Sequence, residues 1–282
     1  MQDYGRKYGL IDPEISLLNF LFQGGFPIHI LSSLKLVNIE KIRLHEPTEK
    51  VRSITTLKAI QREGKLRNPL LAMAIPENKY LILDGAHRTT ALGMLGCKRV
   101  PIQLVDSSDV KLDAWEHLVS SGSWLEQVKQ DSTLCWISTV QKELPIVEVV
   151  ESSGRKHFVY AKTGKRDLLA RLHTWHRIVA TYNRDYQVNR FPNGTCLRPD
   201  SNQVLVRHPN CTISELKKIV SVGQTVPAGV TRSIVEGRLL NLGIPLDLLK
   251  SPLVNRKEWN QLCNQWSEKL RHYSESIYLC EA

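Results

Sequence analysis

Two carboxylates and a histidine–arginine pair are the residues of this chain best placed to do chemistry. Asp84 closes the apolar run Leu81-Ile82-Leu83, and Gly85-Ala86-His87-Arg88-Thr89-Thr90-Ala91-Leu92 follows directly. The pattern predicts a strand, a glycine turn and a helix whose first turn carries His87 and Arg88. The open N–H groups and positive dipole end of such a helix, joined by a cationic side chain, suit a bound phosphate. A plain strand–turn–helix joint with a solvated arginine has the same spacing. Asp84 beside a phosphate can hold Mg²⁺ or take a proton from an attacking hydroxyl, or it can simply cap the helix. Glu46, in His45-Glu46-Pro47, is the second carboxylate, with a solvated loop acid as its plain alternative.

A further anion cradle is suggested by Gly223-Gln224-Thr225-Val226-Pro227-Ala228-Gly229-Val230-Thr231-Arg232, dense in glycine and hydroxyls and ending in a cation. A structural turn fits it equally. His173 and His176 stand three apart on an expected helix, a metal pair without a third ligand in view. Cys97, Cys135, Cys196, Cys211, Cys263 and Cys280 include no C-x-x-C spacing, so zinc ribbons and thioredoxin chemistry find no support and packed thiols are expected. Walker, G-x-G-x-x-G, H-E-x-x-H and G-x-S-x-G motifs are absent. Any phosphoryl transfer needs a less common nucleotide cradle.

The elements that must position these residues follow from periodicity and turn residues. Val37, Ile39 and Leu44 suggest a strand broken near Glu40-Lys41, and His45 to Glu49 a loop. Ser53 to Glu63 reads as a helix stopped by Gly64. Pro69 to Ile75 and Lys79 to Leu83 read as strands joined at Pro76-Glu77-Asn78, and Val100 to Val105 as another. Together they predict a small α+β unit. Ser108 to Leu144 is expected to be helix and loop carrying Trp115, Trp124 and Trp136. Ile146 to Val150 and His157 to Tyr160 predict a hairpin. Arg166 to Tyr182 predicts a helix burying Leu168, Leu169, Leu172, Trp175, Val179 and Tyr182. Thr212-Ile213-Ser214-Glu215 is a capping box. Strands at Ser233–Val235 and Arg238–Leu242 and a helix with Trp259, Leu262, Trp266 and Leu270 complete the body. Before it, an apolar leader with a short helix at Pro13 to Phe22 is expected to pack on the body or on a second copy, as a homodimer.

The chain has 282 residues, 42% of them hydrophobic, and a formal charge of +10. This is ordinary globular composition with room for two domains. No apolar run reaches a membrane span, and Met1 to Lys7 lacks the features of a signal peptide, so a cytoplasmic protein without membrane contact is expected. The basic excess admits DNA as a partner. It contains no tract of five like charges and no helix-turn-helix signature, and serves an anionic small substrate as well.

Leu44-His45-Glu46, Asp84-Gly85-Ala86-His87-Arg88 and Pro101-Ile102-Gln103 together resemble the ParB/sulfiredoxin fold. Ala86 stands where sulfiredoxins carry their catalytic cysteine, and the Gly-Glu-Arg-Arg motif of partition proteins is absent. The free L-serine kinases of that fold match better, most of all the ParB-like serine kinases of staphyloferrin B siderophore biosynthesis. The shared pieces are His45-Glu46, Asp84-Gly85-x-His87-Arg88, Trp115-x-His117 and Thr225 to Arg232. The resemblance leaves 1–33 outside it as an N-terminal extension and implies a ParB/sulfiredoxin-like nucleotide-binding domain over 34–120 and a mixed α/β domain over 121–282 that closes over the active site. It implies phosphoryl transfer from ATP, or ADP as in some relatives, to free L-serine with Mg²⁺, feeding siderophore or diaminopropionate synthesis. Glu46 would be the general base, with Asp84 assisting through Mg²⁺ or the hydroxyl. Gly85, His87, Arg88, Thr89, Thr90, Arg52 and Thr56 would hold the nucleotide, and Trp115, Thr231 and Arg232 the serine. A nucleotide-dependent ParB-like DNA-binding regulator is the alternative.

Overall fold

A computed structural model describes residues 30–162, 168–253, 255–273 and 277–280. The expected leader helix at Pro13 to Phe22 lies outside them, as does the start of the helix expected from Arg166. The architecture is mixed α/β, with seven α-helices among the described residues. None of these is long and apolar enough to cross a membrane.

The chain opens with β1 (Leu34–Asn38), a 3-10 turn at Ile39–Lys41, and β2 (Ile42–Leu44). Helix α1 (Lys50–Glu63) starts three residues earlier than expected and ends at Gly64, whose φ of 65° only glycine adopts freely. After β3 (Lys65–Leu66) come β4 (Leu70–Ile75), β5 (Lys79–Asp84), α2 (Ala86–Met94) and β6 (Arg99–Val105). The strands other than β3 form a sheet in the order β1-β6-β4-β5-β2. The predicted break at Glu40-Lys41 thus carries the chain from one sheet edge to the other. Four residues reach at most about 14 Å, whereas the edges of a flat five-stranded sheet lie about 19 Å apart. The sheet therefore curls, and the parallel pairing of β2 with β5 (Leu44 opposite Ile82) sets the loop after β2 beside the end of β5.

Residues Lys111–Ser120 form a ten-residue strand, β7, where helix and loop were expected. Helix α3 (Ser123–Gln130) and strand β8 (Leu134–Ile137) follow. The alternation of β7 was hidden because polar Glu116 and His117 are both buried, on opposite faces. The predicted hairpin is β9 (Val147–Glu151) and β10 (Lys156–Ala161). Helix α4 (Leu168–Asn183) buries Leu172, Trp175, Val179 and Tyr182, but Leu169 is exposed, contrary to expectation. Strands β11 (Val188–Pro192) and β12 (Gln203–Arg207), helix α5 (Ile213–Ser221) with its capping box, and β13 (Thr231–Ile234) complete this half. The second sheet runs β11-β7-β12-β9-β10-β8, with β13 also pairing β7.

The remaining elements are β14 (Arg238–Leu240), β15 (Ile244–Pro245), α6 (Leu246–Lys250), α7 (Arg256–Lys269), β16 (Leu270–Tyr273) and β17 (Ile277–Cys280). Leu270 lies in β16, just past the helix that was expected to include it. β13 and β14 do not pair with each other: β13 joins β7, and β14 runs parallel to β17.

Alternate residues of β4 and β5 face two different cores. Leu71, Met73, Leu81 and Leu83 join the core of the second sheet with Trp124, Trp175 and Tyr182. Leu70, Ala72 and Ile82 join a core completed by Leu239 to Leu249, Trp266 and Leu270. The C-terminal segment thus returns under the first sheet, tied by Lys98 N–H to Leu249 O (2.9 Å) and Arg99 Nη1 to Ser251 O (2.9 Å). The described cysteines Cys97, Cys135, Cys196, Cys211 and Cys263 are free thiols.

Candidate active site

The end of β5, the start of α2, the loop after β2, β13 with the loop before it, two residues of α1 and single residues of β7, β11 and β14 enclose a cleft of about 660 Å³. Gly85 is the N-cap of α2 and no side chain caps that helix, so its first N–H groups have no partner within it. Gly85 has φ 106°, and a Cβ there would lie 2.7 Å from Leu70 Cδ2 and 3.1 Å from Arg88 Nη2. Only glycine permits this close turn. Gly85→Ala is expected to cost about 1–3 kcal/mol, read as a lower thermal midpoint.

Asp84 sits at the mouth of this turn with its side chain 43% exposed. Its Oδ2 accepts from Arg88 Nη2 at 3.1 Å and from Arg238 Nη2 of β14. Burial pushes its carboxyl up, but the two guanidiniums outweigh burial and hold it below the usual carboxylate range. Arg88 turns back beneath the helix start. Its Nη1 donates to the carbonyls of Asn68 (3.0 Å) and Pro69 (2.8 Å).

Glu46 is half-buried, and its Oε2 accepts the N–H of Gly229 at 2.7 Å across 183 residues of chain. His45 fixes this loop. Its Nδ1 donates to Ile82 O at 2.6 Å, because a carbonyl can only accept, and its Nε2 then accepts from Thr231 Oγ1 at 2.8 Å in the neutral ring. Val226 N–H closes the same junction on His45 O at 2.8 Å. The Gly223 to Arg232 stretch therefore meets Glu46 and Asp84 in one cleft.

The other predicted residues separate into two groups. Arg52, Thr56, Gly85, His87, Arg88, Trp115, Thr231 and Arg232 all line the cleft. Arg232 lies over the Trp115 ring, 5.1 Å from its centroid, and 3.9 Å from Asp113 Oδ2. His87 Nε2 accepts the Glu49 N–H at 3.2 Å, and burial together with nearby Arg52 lowers its pKa, so the ring is neutral at pH 7. Thr89 and Thr90 stay outside the lining. The Thr89 hydroxyl donates to its own helix at Gly85 O (3.0 Å), and Thr90 pairs with the Thr48 hydroxyl at 3.3 Å. His176 Nε2 meets Thr225 O at 2.5 Å, and among the described residues no group of three or more His, Cys, Asp or Glu could hold a metal.

Two cleft residues escaped sequence reasoning. Arg238 comes from β14 and Arg190 from β11, and neither carries a local signal, because only the tertiary fold brings them in. Arg190 Nη2 is 3.7 Å from Glu49 Oε1, while its buried Nε has no partner. Five arginines (52, 88, 190, 232 and 238) line the cleft against two carboxylates, Glu46 and Asp84. That excess favours an anionic ligand.

An uncapped helix start facing an arginine-rich cleft, with a carboxylate held at its wall, defines a phosphate-handling protein. No family model matches the chain. It is 33% identical over 255 residues to the ATP-dependent L-serine kinase SbnI of Staphylococcus aureus, spanning 90% of this chain and 99% of that protein. A solved structure of C-terminally truncated SbnI from Staphylococcus aureus superposes with a TM-score of 0.77 at 33% identity, covering 84% of this chain and 98% of the other. A free serine kinase in complex with AMP shares the fold at a TM-score of 0.61 and 19% identity, covering 77% and 93%. The chain belongs to the L-serine kinase family.

Proposed function

We propose that this protein transfers the γ-phosphoryl group of ATP to the hydroxyl of free L-serine, giving O-phospho-L-serine and ADP, with Glu46 as general base. The observation that carries the assignment is the Glu46 carboxylate, pinned at 2.7 Å by the Gly229 N–H in the same cleft as the uncapped start of α2. The serine Oγ–H bond breaks with its proton passing to Glu46. The Oγ–P bond forms, and the bond from the γ-phosphorus to the bridging oxygen breaks, leaving ADP. Such a transfer depends mainly on positioning and electrostatic stabilisation, which the cleft's cations supply.

The α2 N–H groups, the neutral His87 ring, Arg52, Thr56 and Arg190 hold the nucleotide phosphates in this reading. Arg88 and Arg238 act by orienting Asp84. Arg232, stacked on Trp115, takes the serine carboxylate in a bidentate pair, with Thr231 beside it. The nucleotide rests on the first sheet and the serine on the second, and the first sheet with α2 is read as ParB/sulfiredoxin-like. Mg²⁺ fits as an ion held mostly by phosphates. Both arginines take Asp84 Oδ2, which leaves Oδ1 for a cation. When bound, the ion neutralises phosphate charge.

The test is ³¹P NMR of the protein with Mg²⁺, L-serine and either ATP or ADP. A phosphomonoester signal of phosphoserine appears with ATP. Its absence with both donors would sink the proposal, and a signal with ADP alone would reassign the donor.

A further inference from the structure

Behind the cleft, and outside its lining, lies a chain of buried polar side chains. Trp175 and Tyr182 come from α4, His117 from β7, and His208 from the residue after β12. Their exposures are 2%, 0%, 0% and 6%. Trp175 Nε1 is 2.9 Å from His208 Nδ1. His208 Nε2 is 3.2 Å from the Tyr182 hydroxyl and 3.2 Å from His117 Nδ1. The Tyr182 hydroxyl is 2.9 Å from His117 Nδ1, and His117 Nε2 is 2.7 Å from Gly229 O.

With both imidazole rings neutral, the two ends determine the tautomer of each. An indole N–H can only donate, so His208 Nδ1 is bare and its Nε2 carries the hydrogen. A carbonyl can only accept, so His117 Nε2 carries a hydrogen and its Nδ1 is bare. The Tyr182 hydroxyl accepts from His208 and donates to His117. This assignment needs both rings neutral. Burial drives His117 down to about 4 and His208 well below its ordinary value. Donation therefore runs one way, from Trp175 to the Gly229 carbonyl.

Gly229 is also the residue whose N–H holds Glu46 Oε2 at 2.7 Å. Its φ of +71° belongs to a conformation that side-chain-bearing residues rarely adopt. A Cβ there would lie 2.5 Å from Arg190 Nε. One residue thus presents its carbonyl to the buried chain and its N–H to the cleft carboxylate.

We propose that Trp175, His208, Tyr182 and His117 are positioning residues that fix Gly229 and, through its N–H, the orientation of the Glu46 carboxylate. This rests on the reading of Glu46 as the base. A satisfied core network would stabilise the fold without acting on Glu46, and the two roles separate experimentally.

The readouts are the Gly229 amide resonance in ¹H–¹⁵N spectra and the kinetics of phosphoserine formation, for His117→Leu, His117→Gln and Tyr182→Phe. Gln places an N–H near the position of imidazole Nε2, whereas Leu cannot donate. His117→Leu shifts the Gly229 amide proton upfield as its bond to Glu46 loosens, and lowers kcat about 5–10-fold with the KM for ATP unchanged. His117→Gln restores most of both. Tyr182→Phe keeps the ring and moves the amide the same way, which covers the case in which His117→Leu fails to fold. In a Glu46→Gln background, His117→Leu causes no further fall in kcat. An unmoved Gly229 amide in both His117→Leu and Tyr182→Phe, or equal falls in the two backgrounds, overturns the proposal. Wild-type turnover by Glu46→Gln alone would remove the base, and the amide shift would still decide whether the chain positions Glu46.

Discussion

Glu46→Gln is expected to lower kcat for phosphoserine formation by about 10²–10⁴-fold, the usual contribution of a positioned general base. The substitution isolates proton transfer from architecture. A glutamine Oε1 can still accept the Gly229 N–H that Glu46 Oε2 accepts at 2.7 Å, so the loop contact survives. His45, Val226 and Thr231 hold the same junction independently of the Glu46 charge. The thermal midpoint and the KM for nucleotide should therefore stay near wild type while turnover collapses. A variant that turns over at the wild-type rate would take Glu46 out of the mechanism.

Asp84→Asn carries the second large effect, on stability and activity together. The carboxylate is the shared counter-ion of Arg88 and Arg238, and without its charge two guanidiniums are left facing each other in the cleft wall. Breaking a fully buried pair typically costs about 3–5 kcal/mol. Solvent reaches Asp84, so about 1–3 kcal/mol is expected here. Turnover should fall by about 10²-fold as the phosphate-side geometry loosens. The pH dependence follows from the lowered pKa of Asp84. Its stabilising contribution is complete above the ordinary aspartate value of about 3.9 and is lost as pH falls further, through the depressed folded value. Thermal melts of wild type and Asp84→Asn should therefore differ most near neutrality and converge in acid. A gap that persists unchanged down to strongly acidic pH would mean that Asp84 acts by packing and not by charge.

Much of the first sheet was legible because its signals are local. The apolar run into Asp84-Gly85 reports a strand and helix start and Gly64 a helix stop, and in the half of the second sheet Thr212 to Glu215 reports a capping box in the same local way. β7 was not legible, since burying Glu116 and His117 erases the polar–apolar alternation that marks a half-exposed strand. The cleft was legible in part. Spacing pointed to the α2 start, but it could not show that Arg88 folds back onto Asn68 and Pro69, or that the Thr89 and Thr90 hydroxyls are engaged elsewhere. Arg190 and Arg238 belong to contacts made across the fold, which no short window of sequence contains. Glu46 stood out by its place in a Pro-terminated loop, which does not distinguish a reactive carboxylate from a solvated loop acid, and its role as base came from the family resemblance.

The return of the C-terminal segment beneath the first sheet bears on how the protein is made. Leu70, Ala72 and Ile82 are covered by Leu239 to Leu249, which leave the ribosome long after the strands they protect. At ordinary synthesis rates of about 5–20 residues per second, that interval is roughly 10–30 s. For that time one face of a finished-looking sheet lies bare, and Asp84 lacks Arg238. The nascent chain thus carries an incomplete cleft and a bare apolar face until the segment from Arg238 to Leu249 emerges, and its yield in the cell should depend on chaperones that shield that face.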